Sequence, residues 1–294
     1  MRILISGASG LIGKALVPYL QLQGHEVVTL VRRQAVNLHE ISWTPGQDLD
    51  LMSYPAFDAA INLSGAGVGD KRWSESYKTE ILNSRVQATD TLVKAFSKLS
   101  TKPSVLLNAS AIGFYGDRAD EDLTERSSKG SGFLSDVVEN WEKSALAAES
   151  FGMTVTCLRT GLVISKQGGA FGKVLPFFRL GLGGALGSGT QYWSYISMTD
   201  EVRAIDYLLH AKLSGPVNLT SPHPIRNREV TKVMAEFLHR PALFRVPSGV
   251  LKIALGEFAT DILASAKVLP DRLTQAGFVF THQDLMSALK AELT

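Results

Sequence analysis

The chain opens on an apolar run, Ile3-Leu4-Ile5, that stops at Gly7, passes a turn punctuated by Gly10 and Gly13, and resumes as an amphipathic stretch over residues 11–22. A short unbroken apolar run reads as a buried strand, and apolar residues three and four apart read as one face of a helix. Gly24 stops that helix, and residues 27–31 form a second apolar run. The same pattern predicts short strands at 39–43, 59–63, 104–109 and 155–158. Two helical patterns lie between them. Residues 75–98 repeat Ile81, Leu82, Val86, Thr89, Leu92, Val93 and Phe96 on one face, and Phe133, Val137, Trp141 and Ala145 step by four. Strands alternating with helices predict an α/β fold with a doubly wound parallel sheet of Rossmann type.

Beyond residue 165 the alternation fades. Residues 181–189 carry five glycines and run into Tyr192-Trp193-Ser194-Tyr195. This reads either as a mobile loop feeding an aromatic strand that walls a substrate, or as a glycine-rich connection into an edge strand. Residues 200–211 are helical in pattern, 217–219 form a strand, and Asn227 is placed to cap a helix over 228–238. The remainder, 241–294, reads as mainly helical, its last helix opened by Thr281 with Asp284 three positions on. The expected division is a cofactor domain over 1–165, joined by parts of 190–222. A smaller, mainly helical substrate-side region then covers 166–189 and 223–294.

The glycine turn carries the first chemistry. Its spacing is G-x-x-G-x-x-G, at the junction of a strand and a helix. Gly7 can take a backbone conformation closed to residues with a side chain, Gly10 lets a diphosphate approach the main chain, and Gly13 lets helix and strand pack closely. Ser9, Leu11 and Ile12 share that turn. The helix N-terminus offers unpaired N–H groups and a partial positive charge to phosphate. The second strand runs into Arg32-Arg33, with no acid until Glu40. An acid at this point would hold the ribose hydroxyls of NAD, whereas arginine pairs with the 2′-phosphate of NADP, so NADP(H) is the expected cofactor. Small residues in Asn62-Leu63-Ser64-Gly65-Ala66-Gly67 leave room for a ligand at the end of the fourth strand. Arg85 lies near the apolar face of the long helix and either pairs internally or reaches toward cofactor or substrate.

Composition sets bounds. Hydrophobic residues make up 45% and charged residues 20%, enough for a real core. Thirty Lys and Arg against 28 Asp and Glu leave +2, which gives no reason to expect nucleic acid or an anionic membrane as partner. The single cysteine, Cys157, excludes an intramolecular disulfide and a cysteine metal cluster, and its apolar neighbours place it in the core. His210, His223 and the other histidines show no metal-ligand spacing, so no metal is expected. No apolar run reaches membrane length and no signal pattern precedes the first strand, so the expectation is a cytoplasmic protein. The oligomeric state is left open, a homodimer included.

These segments resemble the extended short-chain dehydrogenase/reductases. Ser6-Gly7-Ala8-Ser9-Gly10-Leu11-Ile12-Gly13 is similar to that family's T-G-A-x-G-F-I-G opening. Asn62-Leu63-Ser64-Gly65 resembles its N-L-A-G turn, and residues 109–116 its S-A-x-x-x-Y-G segment. More narrowly, the chain resembles atypical "epimerase family" proteins that end in a domain of unknown function. Arg72-Trp73, Ser84-Arg85-Val86, Gly113-Phe114-Tyr115-Gly116, Trp141-Glu142, Leu158-Arg159-Thr160-Gly161, Thr220-Ser221-Pro222, Asn227-Arg228-Glu229 and Leu255-Gly256-Glu257 carry that likeness. The resemblance implies an NADP(H)-dependent reductase or epimerase acting on a small carbonyl or sugar-like metabolite. It extends the cofactor contacts to Arg32, Arg33, Leu63, Ser64, Glu80 and Arg85, and more loosely to Val163; Gly65 and Ser110 are expected at the cofactor as well.

One departure bears on activity. Active members use Tyr-x-x-x-Lys, the tyrosine exchanging a proton with the substrate oxygen and the lysine lowering its pKa. No such pair occurs here, and Leu134 and Val138 stand where it would fall. The strand-five serine is Ser110, or is replaced by Ala111 if the register moves by one. Ser110 and Tyr115 are the catalytic candidates, Tyr115 being either a proton donor or a packing residue. The alternative is a regulatory or scaffold protein that keeps the cofactor and has lost the chemistry.

Overall fold

The computed structural model describes all 294 residues. Its centre is a seven-stranded sheet built from β1 (Arg2–Ser6), β2 (Glu26–Val31), β3 (Glu40–Ser42), β4 (Ala59–Asn62), β5 (Val105–Ala111), β6 (Thr154–Thr160) and β7 (Gly215–Leu219). The spatial order is β7-β6-β5-β4-β1-β2-β3 and every pairing is parallel. From β1 the chain moves outward to β2 and β3 on one side, then returns to β4 on the other. A crevice opens where the order reverses, at the carboxyl ends of β1 and β4.

Helices cover both faces, which explains why the strands read as unbroken apolar runs and not as alternating ones. Ile3, Ile5, Val27, Leu107 and Leu158 point to one face, where Leu16 and Leu20 of α1 (Leu11–Leu22) meet Val202, Ile205 and Leu208 of α5 (Met198–Ala211). Leu4, Val28, Leu106 and Val155 point to the other, under Leu92 and Phe96 of α2 (Glu75–Lys98) and Ala145 of α3 (Phe133–Leu146). Cys157 is enclosed there too, with burial raising its thiol pKa. A third core joins α4 (Gly169–Arg179), α6 (Asn227–Leu238) and the last helix, Leu285–Leu293, through Phe171, Phe178, Trp193, Met234 and Leu289. No helix is long and apolar enough to cross a membrane.

Three local expectations are corrected. The glycine run holds a strand, because Gly184–Leu186 pairs in parallel with Phe244–Val246. A side chain on Gly184 would have its Cβ 2.2 Å from the Phe244 carbonyl oxygen, so glycine there serves close strand packing. Asn227 is the first residue inside its helix and does not cap it. Its side-chain oxygen accepts the Leu186 N–H at 2.8 Å, fastening that small strand to α6. Asp284, not Thr281, caps the last helix by accepting the Ser287 N–H at 2.9 Å. The Thr281 N–H is engaged elsewhere, by the buried Asp200 carboxylate at 2.8 Å.

The first turn of α5 also carries Glu201, which is 0% exposed. One carboxyl oxygen accepts the Thr160 hydroxyl at 2.9 Å and the other has no partner. Burial pushes its pKa up to about 8, so the folded protein binds this proton more tightly than the unfolded chain. The folded value lies above the unfolded one, so stability from this group is complete below the ordinary carboxyl range and is lost as pH rises through about 8. Glu201→Gln is expected to melt higher than the parent at pH 8, by roughly 4 °C or more, with the gap narrowing toward pH 5. Thermal melts across that range check it, and a pH-independent gap would show that Glu201 stays ionised.

Candidate cofactor site

The turn from β1 into α1 is shaped by what it has no room for. Gly7 has φ +74°, and a Cβ on it would lie 2.5 Å from the Leu63 carbonyl carbon at the end of β4. A Cβ on Gly13 would lie 2.4 Å from the Gly7 oxygen. Gly10 differs, since a Cβ there would meet only that same oxygen, at 3.2 Å, and otherwise face outward. Ser9 and Gly10 are exposed. The first turn of α1, including Leu11 and Ile12, has neither a side-chain cap nor an acidic residue. Its N–H groups and dipole are therefore available to an anion at the crevice.

The two arginines after β2 separate in role. Arg33 forms a two-bond fork with Glu40, at 2.6 and 2.8 Å. That guanidinium, with the Val36 N–H at 3.0 Å, pulls the Glu40 carboxyl down to about 2. The first acid after the strand is thus taken up by a neighbour. Arg32 is exposed and forms no ion pair.

Across the crevice, Asn62 organises the backbone. Its side-chain oxygen accepts the Ser6 hydroxyl at 2.6 Å and the Ser64 N–H at 3.2 Å. Its amide donates to Asn108 at 2.7 Å and to Thr89 at 2.9 Å, and the Trp141 indole donates to the same Thr89 hydroxyl at 3.1 Å. One buried side chain therefore ties the ends of β1, β4 and β5 to α2 and α3 and holds the Leu63-Ser64-Gly65 turn. Arg85 rises from α2 beside Gly65, its guanidinium 5.0 Å from the Trp141 ring centroid and bonded to the Ile81 carbonyl at 2.9 Å. No carboxylate pairs with it, and burial lowers its pKa to about 10. Of the two options open for Arg85, internal pairing with an acid is not the one the fold adopts. Glu80 is exposed and bonds Lys71 at 3.2 Å. Val163 is 8% exposed and lies in Leu162–Ile164, which continues from β6 and pairs with Tyr195–Ser197.

The catalytic candidates sit in a closed network. The Ser110 hydroxyl donates to Glu142 at 2.6 Å, and Glu142 makes a fork with Arg159, both bonds at 2.8 Å. Arg159 lies 3.5 Å from the Phe114 ring centroid and donates to the Tyr115 oxygen at 3.1 Å. Tyr115 is 0% exposed and its hydroxyl donates to Asn218 at 2.7 Å. Burial raises its pKa. The expectation that this phenol reaches a substrate carbonyl meets a physical obstacle: the group is enclosed and its hydrogen bonds are already made. Ser110, and not Ala111, turns its side chain toward α3. Leu134 approaches the turn after β5 at Gly113, and Val138 is buried. Neither can donate a proton.

Two contacts without a signal in the sequence close the other side. Lys173 of α4 donates to the Gly69 carbonyl, and the Phe258 ring packs against Gly69. They bridge the turn after β4 to the C-terminal region. Nothing in their spacing marks them, because Lys173 and Phe258 each lie more than a hundred positions from Gly69 and reach it only through the fold.

Residues 3–220 match the NAD dependent epimerase/dehydratase family, and residues 246–292 match a domain of unknown function, DUF1731. Epimerase family protein Mb2239 of Mycobacterium bovis is 39% identical over 290 residues, covering 98% of this chain and 96% of that protein. Epimerase family protein YfhF of Bacillus subtilis is 34% identical over 295 residues, covering 98% and 97%. The crystal structure of human epimerase family protein SDR39U1 with NADPH superposes with a TM-score of 0.90 at 31% identity, covering 99% of this chain and 98% of that one. A nucleoside-diphosphate sugar epimerase from Corynebacterium glutamicum gives 0.81 at 33% identity, covering 100% of this chain and 58% of that one. A Rossmann sheet with an open glycine turn, followed by this C-terminal segment, places the chain in the NAD-dependent epimerase/dehydratase family.

Proposed function

We propose that the protein binds NADP(H) in the crevice at β1 and β4 and acts as an oxidoreductase on an unidentified small carbonyl or sugar-like metabolite. The observation that carries the cofactor choice is Arg32, a free guanidinium at the end of β2 beside an acid already paired to Arg33. The residues fit a dinucleotide on two further grounds. Gly10 leaves open the space that a side chain would fill, and Arg85 is a desolvated cation without an anion. The human relative crystallised with NADPH supports the same reading.

In this reading the N–H groups of Gly10, Leu11, Ile12 and Gly13 hold the diphosphate, with Ser9 beside them. Leu63, Ser64 and Gly65 carry the adenosine half, Arg32 meets the 2′-phosphate, and Arg85 adds positive charge across the crevice. Val163 walls the far end. The nicotinamide supplies or accepts hydride. The proton does not come from a Tyr-x-x-x-Lys pair, since Leu134 and Val138 occupy those positions, nor from Ser110 or Tyr115, whose hydroxyls serve Glu142 and Asn218. The same occupancy favours a second reading, a cofactor-binding regulatory protein without turnover.

Ligand that binds only the folded state raises the melting temperature. NADPH is expected to raise it more than NADH at equal concentration, and Arg32→Glu to remove the difference while the variant still folds. Equal shifts from both cofactors would refute the NADP assignment. Gly10→Asp, which puts a carboxylate at the phosphate position, is expected to abolish the shift from either. Saturable NADPH oxidation in a panel of carbonyl compounds and nucleotide sugars decides between the readings, silence across the panel favouring the regulatory one. Where turnover is found, Tyr115→Phe is expected to keep it while losing about 1–2 kcal/mol of stability through the unpaired Asn218 oxygen. Loss of turnover in a folded Tyr115→Phe protein would return that phenol to the reaction.

A further inference from the structure

At the end of the sheet away from the crevice, three side chains distant in sequence converge. His25 lies in the turn that leads into β2, and Asp206 and His210 stand one helical turn apart on α5, on the same face. The His25 Nε2 is 3.1 Å from an Asp206 carboxylate oxygen, and its Nδ1 is 3.3 Å from the Met1 amino nitrogen. The two imidazole rings lie 6.1 Å apart between centroids. One ligand atom from each of the three residues can be chosen so that all lie within 4.8 Å of one another.

Apart from the His25–Asp206 contact itself and the Met1 amino group at His25 Nδ1, no protein group bonds these three side chains. Arg203, the nearest cation on α5, is committed to Asp200 at 2.9 Å, and Asp206 has no partner besides His25. His210 is exposed and makes no hydrogen bond, so its ring can rotate. The side chains of His25 and Asp206 are only 9% and 19% exposed, which holds them in place. Tyr19 also faces Asp206, whose charge adds to burial in raising the phenol's pKa, so it stays neutral beside the carboxylate.

We propose that His25, Asp206 and His210 form a binding site for one divalent transition-metal ion of the Zn²⁺ class, remote from the cofactor crevice. Two imidazoles and a carboxylate without thiolate suit Zn²⁺, Ni²⁺ or Cu²⁺, whereas Ca²⁺ and Mg²⁺ require more oxygen ligands. Metal bonds of about 2.0–2.2 Å in tetrahedral geometry bring ligand atoms to about 3.3 Å apart. Rotation of the exposed His210 ring provides that closure, and water completes the fourth position. Such an ion ties the turn before β2 to α5. It braces the amino ends of the strands while the cofactor works at their carboxyl ends. The proposal departs from the expectation of no metal, which rests on histidine spacing alone: the Asp206–His210 pair is a helical i, i+4 set, and the third ligand arrives through the fold from residue 25.

The test is calorimetric titration of metal-free protein with ZnCl₂, beside His210→Ala and Asp206→Asn. His210→Ala removes an exposed ring without hydrogen bonds, so its fold is expected to hold, and an unchanged NADPH shift verifies that. The expected result is one Zn²⁺ per chain, with affinity lowered about tenfold or more in each variant. Zn²⁺ should also raise the parent's melting temperature and leave that of His210→Ala unmoved, and Co²⁺ in the site should show tetrahedral visible bands. Absence of a saturable single equivalent, or the same affinity in parent and His210→Ala, would overturn the proposal.

Discussion

Close approach of backbone to backbone at the β1–β4 switch point is the constraint on which the rest of the structure depends. The Gly7 main chain meets the Leu63 carbonyl at a distance that excludes any side chain, and α1 meets the same turn through Gly13. That approach sets the first helix on the sheet, turns its N–H groups to the crevice and brings the end of β4 beside them. Asn62 then makes the arrangement rigid, because a buried amide must be satisfied on both its oxygen and its nitrogen. Its partners come from β1, α2 and β5 and from the Ser64 turn, so none can shift alone.

A second buried network, further along the sheet, bears on function by what it withholds. Glu142 and Arg159 are both nearly sealed from water, and removing one partner of such a pair costs about 3–5 kcal/mol because the other charge is left unpaired. Ser110, Tyr115 and Asn218 complete its hydrogen bonds. Hydroxyls that satisfy a buried ion pair are poorly placed to exchange protons with a substrate. The strand-five region, which serves chemistry in active short-chain reductases, here joins β5, α3, β6 and β7. Ser110 and Tyr115 are thus held as parts of a buried network between those elements.

Period and punctuation in the sequence were enough for the parallel sheet, its strand sequence and the long helices, since each depends on local apolar spacing and on glycine. α1 and α2 start and stop where their patterns do. The glycine turn was legible for the same reason. Caps were less so: Asn227 and Thr281 have the right residue type and spacing, but the Leu186 N–H claims Asn227's side chain and the Asp200 carboxylate claims Thr281's N–H. The glycine-rich run concealed a strand whose partner, Phe244–Val246, lies 60 residues away as Gly184↔Phe244.

What the sequence determined by itself is the class of fold, the glycine turn between β1 and α1 and the absence of a Tyr-x-x-x-Lys pair, because these rest on residue type and short-range spacing. Only tertiary structure decided which arginine is free, since Glu40 and Arg33 meet through a turn. It likewise decided that Tyr115 is enclosed by Arg159 and Asn218, residues 44 and 103 positions away. It alone brought His25 to Asp206 across 181 positions. The physical reason is common to all three. A side chain's partners, and so its charge, proton and reach, are set by packing between elements, and one strand of text carries no distances between them.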